Sequence, residues 1–258
     1  MLVAPALQWL APQNRVAFIN AFMIYTQTMA KNPHISRHWS WHPEPVQAST
    51  AVERVYASVS ADIVGGTLPG GTLITEGEVA ERFDVSRTPV REAFLLMESQ
   101  GLLRLFPKKG AVVTSHTPEE TAHLLQVRIM LESRAVELQT AGREQTTSGA
   151  SGEQRIAADL AALIAVQRAA AEQDDLPAFA RADHQFHARI VAGSGNPIID
   201  DFYAQLGPRL ARLTCLTART NTADLQRFMD DHARLAELLA SADPRGYEEL
   251  LRRHVAAT

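Results

Sequence analysis

The chain has 258 residues, 46% of them apolar, enough for one large domain or two modest ones with packed cores. Its formal net charge of −4 excludes a globally basic surface, so any contact with nucleic acid has to come from a local concentration of charge. A single cysteine excludes an intrachain disulfide framework and fits a reducing cytoplasm, and no stretch is long and apolar enough to span a membrane.

Residues 1–46 differ from the rest. They hold all three tryptophans (Trp9, Trp39, Trp41) and the four-spaced histidines His34, His38 and His42. Pro33, Pro43 and Pro45 argue against a helix there and for an irregular N-terminal extension. A signal peptide over Val16–Tyr25 is a weak reading, because the apolar run is short and starts late. One origin of the extension is a misplaced start codon, with Val46 derived from a GTG start. The intact mass of the natively expressed protein tests it.

Residues 47–116 read as one domain. Val52, Val55, Val59 and Ile63 keep the spacing of an amphipathic helix over 52–64. A Leu68-Pro69-Gly70-Gly71 turn follows, then a short helix over Glu76–Phe83 and an Asp84-Val85-Ser86 connector. Ser86 or Thr88 caps a third helix, which tolerates Pro89 in its first turn and ends at Gly101. Two apolar runs flanking Pro107–Gly110 predict a β-hairpin. Three helices and a hairpin in this order make a winged helix-turn-helix.

Arg87 and Arg91 lie four apart at the start of the third helix and share a face, while Val90, Phe94 and Met97 form the opposite apolar stripe. That N-terminal end enters the major groove in a helix-turn-helix, where an arginine fork matches guanine. Ser86 and Thr88 can donate to phosphate. Five basic residues face two acids between 87 and 110, whereas 51–86 carry two arginines against six acids. The positive charge therefore sits on the third helix and on the wing, at Lys108 and Lys109 beside Gly110.

From residue 117 to 258 the pattern is helical, with helices near 118–141, 153–173, 176–192, 197–219, 222–241 and 244–257. A flexible Thr146–Gly152 connector separates the first two. Asp183 and His187 are four apart on an apolar stripe with Phe179, Ile190 and Val191. His232 follows Leu225, Phe228 and Met229, and His254 follows Tyr247, Leu250 and Leu251. Four polar groups on buried faces need a partner. Three imidazoles and a carboxylate suit a divalent metal such as Zn, Ni, Mn or Fe. His184 falls with Arg181 on the polar face and reads as a surface residue, and Cys215 as a buried structural thiol. Arg128 sits inside the Thr121, Leu124, Leu131, Ala135 stripe, either pairing with Glu132 or binding the carboxylate of an effector. Asn196, ahead of Pro197, is a helix N-cap or an effector contact.

The run Ile63–Val113, with its VSRTPVREAF core (Val85–Phe94), resembles the DNA-binding signature of the GntR superfamily. Residues 117–258 look like the FCD effector domain of the FadR-type subfamily, on ADHQFHARIVAGSGNP (Ala182–Pro197) and the two later histidine helices. The resemblance implies that Arg87 and Arg91 read bases and that the wing reaches the minor groove or phosphates. It further implies that an antiparallel helical bundle encloses a metal at Asp183, His187, His232 and His254 beside a small-carboxylate site. Some members carry an arginine where this chain has Gly77, which removes one possible contact with the operator.

The expected molecule is thus mainly α, a winged helix-turn-helix plus an all-helical bundle. It is expected to act as a cytoplasmic homodimeric regulator, a repressor in the family's commoner arrangement, that binds operator DNA under control of a small carboxylate. A metalloenzyme and a sensor of the metal itself are the rival readings.

Overall fold

The computed structural model describes residues 50–143, 150–220 and 224–256. The expectations for 1–46, with its tryptophans and four-spaced histidines, lie outside the described residues.

Helix α1 (Ala51–Val64) begins with a capping box, Thr50 and Glu53 each satisfying the other's backbone N–H. Helix α2 (Glu76–Phe83) repeats the device with Thr75 and Glu78 and ends at Asp84 in a left-handed conformation. Helix α3 (Arg87–Ser99) follows and buries Val90, Ala93, Phe94 and Met97. The apolar stripe expected of the third helix is therefore the face that packs on α1, into a core with Val55, Tyr56, Val59 and Ile63. Ser86, one of the two expected, stands at the N-cap, but its side chain makes no capping bond.

The hairpin forms as strands β2 (Leu103–Phe106) and β3 (Gly110–Val113). A short strand β1 (Leu73–Ile74) adds to its other edge, giving the antiparallel order β1-β3-β2. Two residues are too few to show an alternating pattern, and the sequence reading stopped at the preceding turn. Gly110 has φ 105°, and a Cβ there would run into the Ile74 carbonyl. Its first duty is to let β1 close on the hairpin.

Six helices follow: α4 (Pro118–Arg143), α5 (Ala150–Glu172), α6 (Leu176–Ala192), α7 (Pro197–Thr220), α8 (Asp224–Ala240) and α9 (Pro244–Ala256). They match the six expected helices to within three residues at every end. The connector before α5 is shorter than expected, because Ala150, Ser151 and Gly152 are already helical. Helix α6 lies between α5 and α7, and α4 packs on α6, α7 and α9. This central position reverses the expectation for His184. It is 3% exposed, and its ring stacks on Tyr203 of α7 at 5.4 Å with planes 7° apart. A helix covered on opposite sides has no free polar face. Cys215 is buried as expected.

The two parts meet along α1 and α7. Val64 packs there with Ala180, Ala211 and Cys215.

Candidate functional site

The bundle brings Asp183, His187, His232 and His254 together, with one ligand atom from each lying within 4.8 Å of the others. Helix α6 supplies the first two from successive turns, α8 the third and α9 the fourth. All four are at most 3% exposed. His187 Nε2 lies 3.1 Å from His232 Nε2, and Asp183 Oδ1 lies 3.3 Å from His232 Nε2 and 4.0 Å from His187 Nε2.

A second ring of residues decides which nitrogen of each histidine faces inward. His187 Nδ1 is 2.7 Å from Glu132 Oε1, His232 Nδ1 is 2.7 Å from Gln167 Oε1, and His254 Nδ1 is 3.2 Å from Asp231 Oδ2. Each Nδ1–H donates to an oxygen, so each Nε2 presents a lone pair to the centre. Thr214 Oγ1 on α7 donates to the outer oxygen of Asp183 at 3.1 Å. Bare lone pairs 3.1 Å apart beside a carboxylate repel one another unless a cation lies among them. The donor set therefore fits a divalent metal: three neutral imidazoles and one carboxylate, each oriented from behind.

The electrostatics agree. Burial pushes His187 well below its ordinary pKa, and burial, partly opposed by Asp231, lowers His254 to about 4. Burial alone would raise Asp183, but the charges around it, the buried Arg128 guanidinium among them, hold it well below the usual carboxylate range. Neutral imidazoles and an ionised carboxylate are the ligand-ready forms.

Arg128, on α4, is 2% exposed, and its Nε lies 3.7 Å from Glu132 Oε2. The pairing expected between the two exists, but at a distance that leaves Arg128 Nε and Nη2 and Glu132 Oε2 without hydrogen-bond partners among the described residues. Glu132 Oε1 is fully used, accepting from His187 and from the Tyr247 hydroxyl. Burial pushes its carboxyl upward, against the pull of Arg128. Sequence reading gave Glu132 no role beyond pairing with Arg128, and it overlooked Gln167 and Asp231. A buried acid four residues after a buried arginine on one helix was the available signal for Glu132. Asn196 lies at the start of α7, its side-chain oxygen accepting the Ile198 N–H at 3.1 Å, which is the capping role.

In the winged domain, an open groove runs between α3 and the hairpin. Arg87, Arg91, Glu98, Lys108, Lys109 and Gly110 are among its lining residues. Ser86, Arg87, Thr88, Arg91, Lys108 and Lys109 are all exposed. Glu98 ties the two walls together, its Oε1 accepting the Leu105 N–H at 2.8 Å. Arg91 is held by Glu76 of α2, and Arg87 lies over Gly77.

Comparison with known proteins agrees with both halves. Residues 51–113 match the family model described as bacterial regulatory proteins, gntR family, and residues 123–257 match the FCD domain. The gluconate operon transcriptional repressor of Bacillus subtilis (strain 168) is 27% identical over 205 residues, covering 76% of this chain and 78% of that protein. Its counterpart from Bacillus licheniformis is 26% identical over 201 residues, with the same coverage. Among solved structures, Escherichia coli McbR/YncC superposes with a TM-score of 0.65 at 23% identity, covering 81% of this chain and 94% of that one. A GntR-type regulator from Rhodococcus sp. RHA1 gives 0.63 at 19% identity, covering 81% and 95%. These last two likenesses are of fold.

Proposed function

The chain belongs to the GntR family of bacterial regulatory proteins and carries the FCD domain, and from that premise we propose that it is a repressor whose operator binding is set by a small carboxylate held at a metal-containing pocket. It is a DNA-binding transcriptional regulator and not an enzyme. The observation that carries the rest is Arg128, a buried guanidinium with two unbonded nitrogens, in the same bundle as four converging metal ligands. Asp183, His187, His232 and His254 would hold the divalent ion, with Zn, Ni and Mn all compatible with the donors. Once bound, it supplies a Lewis-acidic attachment point for an anion. Arg128 orients a carboxylate through its fork. Asn196, at the head of α7, is a further contact for the effector.

The DNA is read by Arg87 and Arg91, with Ser86 and Thr88 at the helix N-terminus and Lys108, Lys109 and Gly110 on the wing holding phosphates or the minor groove. A winged domain of 47–116 and an effector bundle of 117–258 divide this work. Two recognition helices on a pseudopalindrome require a homodimer. The apolar side chains Val127 and Met130 on α4 and Ile198 and Phe202 on α7, two helices that pack together, are 40–70% exposed and offer such a surface. The protein works in the cytoplasm, where its operator is. No described helix is long and apolar enough to cross a membrane.

The effector would act by preferring one geometry of the dimer over the other. The test is a fluorescence titration of the protein against DNA upstream of its own gene, with scrambled DNA at matched salt, followed by a screen of small carboxylates. Tight binding to its own DNA, weakened by one of the acids, is the expected result. If none of the acids changes the affinity while added metal or a chelator does, the protein senses the metal itself.

A further inference from the structure

We propose that Glu76 is a specificity residue of the DNA-reading surface. It buttresses Arg91 so that the arginine presents its end-on edge to a base instead of reaching for phosphate. The proposal rests on the reading of Arg91 as a base contact.

Glu76 is the first residue of α2, and its carboxylate is not needed to cap that helix. Glu78 performs the capping, accepting from the Thr75 backbone N–H at 3.0 Å and from the Thr75 hydroxyl at 2.7 Å. The Glu76 carboxylate instead reaches across to α3. Arg91 Nε donates to Oε1 at 2.9 Å and Nη2 donates to Oε2 at 3.2 Å. This is a side-on pair, and it engages two of the five guanidinium hydrogens. Both hydrogens on Nη1 and the second on Nη2 remain, and one from each nitrogen forms the end-on edge that matches guanine O6 and N7.

Charge alone does not account for an acid in this position. Glu76 lines the same groove as Arg87, Arg91, Lys108 and Lys109. A carboxylate facing a phosphate backbone weakens binding to every sequence alike. An exposed ion pair also adds little to stability, and Arg91 is 68% exposed. The carboxylate does two things useful for selectivity. It removes rotamer freedom from a long side chain before DNA arrives, and it disfavours the arrangements in which Arg91 would sit against a phosphate.

Arg87 is held differently. Its guanidinium lies over the bare backbone of Gly77, with Nη2 3.4 Å from the point a Cβ would occupy. The dipeptide Glu76-Gly77 thus receives both arginines, one by a carboxylate and the other by the lack of a side chain. Loss of the carboxylate should affect one of the two base contacts only.

The experiment selects bound duplexes from a random-sequence DNA library with full-length wild-type protein and with the Arg91→Ala, Glu76→Gln and Glu76→Asp variants. Melting temperatures are recorded for each. Wild type is expected to select a motif, and Arg91→Ala to lose a preference of about five- to 150-fold at one position in each half-site. Glu76→Gln should lose at least about fivefold at that same position while binding unselected DNA as well or better, with an unchanged Tm. Glu76→Asp keeps the charge but is too short to make the bidentate pair, and should resemble Glu76→Gln. Retention of the full wild-type preference by Glu76→Gln overturns the proposal. So does a uniform rise in affinity for all sequences with the motif intact, which would make Glu76 a plain electrostatic brake. Absence of any motif with wild type would instead defeat the reading of the domain as a sequence-specific reader, and a motif unchanged by Arg91→Ala would defeat the assignment of Arg91.

Discussion

Arg212 Nη1 donates to the backbone carbonyl of Thr114 at 2.5 Å, joining the bundle to the chain just beyond the wing. Two residues along the same helix, Thr214 donates to Asp183 in the buried His/Asp cluster. One turn earlier, Arg209 packs against Gly101, just past the end of the recognition helix. Helix α7 therefore touches the pocket and the DNA-reading domain through neighbouring residues, and a shift of Asp183 has a short path to α3. Replacing Arg212 with alanine should leave metal content unchanged while reducing the effector's influence on operator affinity. Coupling between such sites is typically ~1–3 kcal/mol, or about five- to 150-fold in affinity. Metal analysis alongside DNA titrations with and without effector measures both. A full effector response in the variant would remove α7 as the link.

The same junction carries a pH dependence. Burial, reinforced by Arg212 and Arg209, lowers His116 from 6.5 to about 4. The unfolded chain then binds a proton that the folded chain refuses. Above pH 6.5 the group contributes nothing, and as pH falls from 6.5 towards 4 it destabilises the fold. Discounted for its partial exposure, the penalty reaches about 1–2 kcal/mol at the acid end. Denaturant melts of His116→Gln should show a shallower loss of stability than wild type across that window and no difference above it. Parallel curves would show that His116 does not titrate in this way.

Much of this was legible in the sequence because the local signals agreed with one another. The third helix carried its apolar stripe, its arginine pair and its terminating Gly101, and all three survive folding. The convergence of Asp183, His187, His232 and His254 was visible because each breaks an apolar stripe. What was not legible depends on packing between helices. His184 looked solvent-facing on α6 taken alone, and only its central position between α5 and α7 buries it. Glu132, Gln167 and Asp231 orient the cluster from three helices, and no spacing rule connects them to the histidines they hold. The pair of β1 residues was too short to have a period.

His184 leads to a test of that packing. A Cβ at Gly207 would come within 2.6 Å of His184 Nε2, whose ring is already stacked on Tyr203. Gly207→Ala has to displace the ring or spread α6 from α7. Overpacking of this kind typically costs ~1–3 kcal/mol, against a smaller gain in helix propensity. A lowered Tm is expected, relieved in the double variant Gly207→Ala/His184→Ala, where the opposing ring is gone. Equal melting of wild type and Gly207→Ala would mean that the helices are not in this contact.

The proposed metal centre separates two kinds of substitution. His232→Ala deletes a ligand and leaves Gln167 and Asp183 facing a void, so metal content, stability and effector response should all fall. Glu132→Gln deletes none. It keeps the shape beside His187 but replaces a carboxylate that accepts from both His187 and Tyr247 with an amide whose carbonyl is a weaker acceptor. Loss of such an orienting partner typically lowers metal affinity by about 10- to 100-fold. Competition against a chelator should therefore rank wild type above Glu132→Gln, and Glu132→Gln above His232→Ala. Because Glu132 also stands 3.7 Å from Arg128, the amide removes the anion that competes with an incoming carboxylate for that guanidinium. At saturating metal, Glu132→Gln should bind a carboxylate effector at least as tightly as wild type. Weakened metal binding with effector affinity retained would assign Glu132 to the metal side of the pocket, whereas parallel loss of both would make it part of the effector site.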